Sequence, residues 1–140
     1  MNKTRLFIID DNVELVNMIK EYFENRADIE VKFTAHNGED GIKIMKDNLT
    51  DFDLIILDLI MPKKDGVAVL EEMNKEGIDK KVIVLTSYNT PEMIRKVSEL
   101  GANYFLLKPF ELVELEKRVL ELREDVVTPN TSIDLYHHNL

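Results

Sequence analysis

Four short runs along the chain are apolar without interruption: Leu6–Ile9, Leu54–Leu57, Val82–Leu85 and Tyr104–Leu107. Runs of this length without alternation predict strands covered on both faces, as in a parallel sheet. A fifth stretch, Ile29–Ala35, is less purely apolar and reads as a strand nearer an edge. Between these runs the apolar positions recur with helical spacing. Val13, Leu15, Val16, Ile19, Tyr22 and Phe23 mark the first helix, with Asn12 as its cap. Asn37-Gly38 turns the chain into a second helix carrying Ile42, Ile44 and Met45, and Asp65-Gly66 leads into a third with Val67, Leu70 and Met73. Thr90-Pro91 opens a fourth, with Met93, Ile94, Val97 and Leu100, which Gly101 ends. Leu112, Leu115, Val119 and Leu122 stripe the fifth.

Strand and helix therefore alternate five times. Right-handed crossovers convert that order into an α/β doubly wound sheet with helices on both faces. The usual solution for five such units is the flavodoxin-like (βα)5 arrangement, strand order 2-1-3-4-5. The composition changes near Glu124. Residues 1–123 read as one domain and 124–140 as a linker or tail, in which His137-His138 is read as part of that linker and not as a metal site.

Composition narrows the classes of function. The chain has 140 residues, 44% of them hydrophobic, enough for one domain with its own core. No apolar run approaches the roughly 20 residues needed to span a bilayer, and the start Met-Asn-Lys-Thr-Arg shows no signal-peptide pattern. Cysteine is absent, which excludes disulfides and thiolate metal sites. These features predict a cytoplasmic protein without membrane attachment. The net charge of −9 argues against nucleic acid bound by this domain itself.

The candidate chemistry lies where the apolar runs stop. The first ends on Asp10-Asp11, the third strand on Asp58, the fourth on Thr86-Ser87 and the fifth on Lys108-Pro109. Ligands of open parallel sheets sit outside the carboxyl ends of the strands, so these groups are expected on one rim. A single Asp at a strand end is usually a cap or turn former. Three carboxylates from two adjacent strands instead repel one another unless a cation intervenes. Mg²⁺ takes oxygen ligands and keeps several waters, so one or two direct carboxylates suffice. With Lys108 adding a further positive charge, Asp58 can then act as a nucleophile toward phosphorus, Asp10 and Asp11 as metal ligands, and Thr86 as a donor to a phosphoryl oxygen. A cis Lys108–Pro109 bond would fix where the lysine points.

These motifs together resemble the receiver domain of two-component response regulators. The matching pieces are Asp10-Asp11-Asn12, Leu57-Asp58-Leu59-Ile60-Met61-Pro62 with Asp65-Gly66, Leu85-Thr86-Ser87, and Gly101-Ala102 leading to Lys108-Pro109-Phe110. The likeness spans about residues 4–123. It implies Asp58 as phosphoacceptor for a histidine kinase or histidine phosphotransfer protein. It also implies Mg²⁺ on Asp11, Asp58 and the Ile60 carbonyl, with Asp10 acting through water. Thr86 and Lys108 would hold the phosphoryl group, and Phe105 falls at the family's aromatic switch position. Such a domain catalyses only its own phosphorylation and slow dephosphorylation. The implied output is a phosphorylation-dependent homodimer or effector surface on helix four, strand five and helix five, which carry Arg95, Lys96, Glu99, Glu116, Lys117 and Arg118.

Within that family, Asp10–Val16, Ile60–Pro62, Asp65–Glu71 and Tyr104–Phe110 are similar to the regulators that start sporulation in Gram-positive spore formers. Those carry a DNA-binding domain beyond the receiver, which implies control of transcription. The alternative is a stand-alone receiver that relays phosphate or binds a protein partner. Ser87 stands where many receivers have Ala, which bears on phosphorylation kinetics. Two other classes fit less well. An Asp-nucleophile Mg²⁺-dependent phosphatase needs a second Asp two residues after the first, where this chain has Ile60 or Asn12. A flavin-binding module needs a phosphate cradle after strand one, where Asp10-Asp11 would repel the phosphate.

Overall fold

The computed structural model describes residues 3–123; the predicted tail and its His137-His138 lie outside these. In chain order the elements are β1 (Thr4–Ile9), α1 (Val13–Phe23), β2 (Ile29–Ala35), α2 (Gly38–Asp47) and β3 (Leu54–Asp58), then α3 (Gly66–Lys75), β4 (Lys81–Thr86), α4 (Pro91–Glu99), β5 (Tyr104–Leu107) and α5 (Leu112–Arg123). The sheet is five-stranded and parallel, in the order β2-β1-β3-β4-β5. This is the flavodoxin-like arrangement read from the sequence, with β2 at an edge.

The uninterrupted apolar strands are explained by a core on each face. Residues of one parity, Leu6, Ile8, Leu54, Ile56, Ile83, Leu85 and Leu106, pack with Val16, Ile19 and Phe23 of α1 and Leu115, Val119 and Leu122 of α5. The other parity, Phe7, Ile9, Ile55, Leu57, Val82, Val84 and Phe105, packs with α2, α3 and α4 through Met45, Val69, Leu70, Ile94 and Val97. Fully burying an aliphatic or aromatic side chain of this kind stabilises by roughly 1.5–3 kcal/mol.

Helix ends follow the sequence signals. The side chains of Asn12, Asn37, Asp65 and Thr90 each accept from a backbone N–H of the first turn of α1, α2, α3 and α4. Gly101 follows α4 with φ +103. Three helix-face readings need correction. Val13 and Tyr22 are 51% and 38% exposed, so the buried stripe of α1 is the narrower set Val16, Ile19, Phe23. Glu116 does not face the α4–β5–α5 side, because it accepts from the Tyr22 hydroxyl at 2.6 Å and pairs with Arg26 next to α1. Arg118 lies with its guanidinium 4.2 Å from the Tyr104 ring centre, leaving Arg95, Lys96, Glu99 and Lys117 as the exposed charges of that set. No described helix is long and apolar enough to cross a membrane.

Candidate functional site

Strand parity and register bring the polar residues together. Asp10, Asp58 and Lys108 each continue the α1/α5-facing parity of their strand by two residues: Ile8 to Asp10, Ile56 to Asp58, Leu106 to Lys108. Ile8 pairs with Ile56, so Asp10 and Asp58 emerge side by side at the carboxyl ends of β1 and β3. Asp10 is fully buried and Asp58 is 4% exposed, whereas Asp11 is exposed. Each of the three offers a carboxylate oxygen within 4.8 Å of the others.

Lys108 reaches across from the end of β5. Its Nζ donates to Asp10 Oδ2 at 2.9 Å and stands 3.4 Å from Asp58 Oδ1. The Lys108–Pro109 peptide is cis. The other Asp10 oxygen accepts from Asn12 N–H at 2.8 Å, so both of its oxygens are engaged within the protein. Asp58 Oδ1 has a long contact, 3.4 Å, from Ile60 N–H. Burial, then the Asp10 carboxylate, push the Asp58 carboxyl up to about 7, against the opposing pull of Lys108. One ammonium thus serves two buried carboxylates, with Asp11 close beside them. Asp58 and the exposed Asp11 have oxygens left over, and they suit a hard divalent cation held by oxygen ligands and water. The donor set therefore fits Mg²⁺.

The β3–α3 loop that follows Asp58 is closed at its base by Gly66 N–H donating to the Leu59 carbonyl at 2.8 Å. A Cβ on Gly66 would stand 2.7 Å from Leu59 Cα and overlap the Asp58 carbonyl oxygen, which only glycine permits. Ile60, on this loop, is 53% exposed.

Thr86 is 2% exposed at the end of β4. Its Oγ1 accepts from Tyr88 N–H at 2.8 Å and donates to the Tyr88 carbonyl at 3.1 Å, so the hydroxyl is tied to its own loop. Phe105 is 7% exposed and packed in the core beside α4. Ser87 and Tyr88 are exposed on the rim. One contact at the site has no sequence signal: the His36 ring Nδ1 lies 3.1 Å from the Asp10 carbonyl oxygen, although its residue sits on the β2–α2 loop. It has no apolar periodicity around it, and proximity across the sheet edge becomes visible only in the folded chain.

Known proteins share this fold. The receiver domain of the Francisella response regulator 1452 is 27% identical and superposes with a TM-score of 0.80, covering 89% of this chain and 99% of that one. The signal receiver domain of NarL from Mycobacterium tuberculosis is 23% identical, TM-score 0.80, covering 89% and 98%. A chain of the CheX–CheY–BeF₃–Mg²⁺ complex from Borrelia burgdorferi is 24% identical, TM-score 0.79, covering 85% and 88%. The last two likenesses establish the fold alone. The family model of the response regulator receiver domain matches residues 6–120, a span that begins in β1, ends in α5 and contains every residue of the rim. With most of its length matched in this way, the chain belongs to the response regulator receiver domain family.

Proposed function

We propose that Asp58 accepts a phosphoryl group from a phosphohistidine on a histidine kinase or phosphotransfer protein. The observation that carries this reading is the sharing of Lys108 between two buried carboxylates, with carboxylate oxygens of Asp10, Asp11 and Asp58 within 4.8 Å of one another. An Asp58 oxygen attacks phosphorus, the P–N bond breaks, and its electron pair leaves with the imidazole nitrogen. The product is an acyl phosphate on Asp58. Asp11, Asp58 and the Ile60 carbonyl are the groups that would hold Mg²⁺, with Asp10 acting through water. The chemistry supplied by the bound ion is neutralisation of charge on the phosphoryl oxygens. Lys108 holds one of those oxygens while it releases part of its hold on Asp10. The Thr86 hydroxyl donates to another, giving up the Tyr88 carbonyl to do so.

That exchange links the phosphoryl group to the β4–α4 loop. The readout in this proposal is the α4–β5–α5 face, where phosphorylation favours a homodimer or effector contact. Transcriptional control of the sporulation type rests on the sequence runs alone, and none of the structural relatives described above bears on it. The alternative output is a stand-alone receiver in the cytoplasm that relays phosphate to a protein partner.

The test is treatment with phosphoramidate, a small donor with a P–N bond, in the presence of Mg²⁺. An acyl-phosphate signal in phosphorus NMR that is lost in Asp58→Asn supports the proposal. No signal in the wild type, or an undiminished one in the variant, refutes it.

A further inference from the structure

The β3–α3 loop carries the Ile60 carbonyl and turns through two consecutive lysines with left-handed backbone, Lys63 at φ 50 and Lys64 at φ 72. L-residues adopt this region reluctantly, and two in a row need outside support. The support comes from α2, which is distant in sequence. Glu39 N–H, in the first turn of α2 and lacking an intrahelical acceptor, donates to the Lys63 carbonyl at 3.0 Å. Gly38, the first residue of α2, is buried against Lys64. A Cβ on Gly38 would overlap the Lys64 carbonyl oxygen and stand 2.9 Å from both its carbonyl carbon and its Cβ. The obstacle is mainly backbone, so it yields only if the loop moves.

We infer that Gly38 is a positioning residue for the phosphoacceptor site: it lets the start of α2 seat the Lys63–Lys64 turn and so fixes the loop that presents Ile60 to the metal. This rests on the Mg²⁺ site of the preceding section. The loop is pinned at its base by Leu59 and Gly66 and at its tip by Glu39, with Ile60 between the two pins. Displacing the tip must therefore alter the stretch from Ile60 to Pro62. Groups that orient ligands without touching the ion typically change metal affinity by about 10–100-fold.

The experiment compares wild type, Gly38→Ala, and Gly38→Ala with Lys64→Gly. Amide exchange across residues 59–65 is measured without metal, and Mg²⁺ affinity by calorimetry. Gly38→Ala is expected to speed exchange in this loop while leaving that of β1 and β3 near wild type, and to weaken Mg²⁺ by about tenfold or more. Glycine at 64 removes one clashing Cβ and lets the left-handed turn shift its carbonyl, which still overlaps, so the double variant should recover a measurable part of the affinity but not all of it. Wild-type loop exchange and affinity in Gly38→Ala would overturn the inference. So would a double variant that regains thermal stability without affinity, since Gly38 would then serve packing alone. If the wild type itself does not bind Mg²⁺, the metal site and this inference fall together, whereas a wild type that binds beside an indifferent Gly38→Ala removes only the inference.

Discussion

Asp58→Asn should make the metal-free protein more stable at neutral and alkaline pH. The Asp58 carboxyl titrates at about 7 in the folded protein instead of the usual 3.8, chiefly through burial and the Asp10 carboxylate. The folded state thus binds this proton more tightly than the unfolded chain does. Stability from the group is fully present below the unfolded value and is lost as pH rises through the folded one. That difference corresponds to a ceiling of about 4 kcal/mol. Water entering the ionised site reduces this, so about 2–4 kcal/mol is expected. Asparagine has the shape of the protonated acid and cannot ionise. Its advantage should be near zero at about pH 4, grow through pH 7 and level off above about pH 8. At about 4 °C per kcal/mol, the melting temperature of the variant should exceed that of wild type by about 8–16 °C at pH 8.5. Mg²⁺ should narrow the gap from the other side. At ten times its dissociation constant it stabilises wild type by about 1.4 kcal/mol, and the variant by less. Thermal melts in EDTA from pH 4.5 to 8.5 test this. A difference independent of pH, or a variant less stable than wild type at pH 8.5, would refute the electrostatic reasoning.

Other outcomes follow from the same site. Asp11→Asn should weaken Mg²⁺ more than Asp10→Asn, because both Asp10 oxygens already have protein donors while Asp11 is exposed and open; calorimetric titration checks this, and undiminished affinity in both would contradict it. Lys108→Met should destabilise the protein by about 3 kcal/mol at pH 8, as expected when a buried charge loses its partner, and by less at pH 5 where Asp58 takes up a proton. The acyl phosphate should persist on the order of many minutes or longer, because Ile60 and Tyr88, two residues beyond Asp58 and Thr86, put an apolar and a bulky side chain where a charged or amide group could otherwise orient the attacking water. Decay within seconds in the absence of a phosphatase would contradict that.

Much of this molecule is legible in its sequence, for reasons that particular residues make plain. Leu6–Ile9 and Leu54–Leu57 are apolar at every position because both faces of their strands are covered. The same runs mark where the chain leaves the sheet, so Asp10, Asp58 and Lys108 are readable as rim residues from the sequence. The exposure of Val13 and Tyr22 was not legible, since an apolar residue at helical spacing carries no mark of whether a neighbouring element reaches it. Nor was the Glu116 contact with Tyr22 and Arg26, which depends on how α1 and α5 lie together. Backbone contacts were hidden altogether. The Thr86 hydroxyl bonded to Tyr88, and the Gly38 approach to Lys64, involve main-chain atoms that every sequence possesses. Gly38 reads in sequence as a turn former and nothing more. Its importance comes from a loop 26 residues later in the chain.

The central claim is that Asp58 is the phosphoacceptor and that its function requires Mg²⁺. The most direct measurement is intact-mass spectrometry after exposure to acetyl phosphate, with and without Mg²⁺, followed by borohydride reduction and peptide mapping to locate the acyl phosphate. One added phosphoryl group, dependent on Mg²⁺, mapped to Asp58 and absent from Asp58→Asn, is the result predicted here. Uptake that survives in Asp58→Asn, maps to Asp10 or Asp11, or proceeds equally well in EDTA would contradict it.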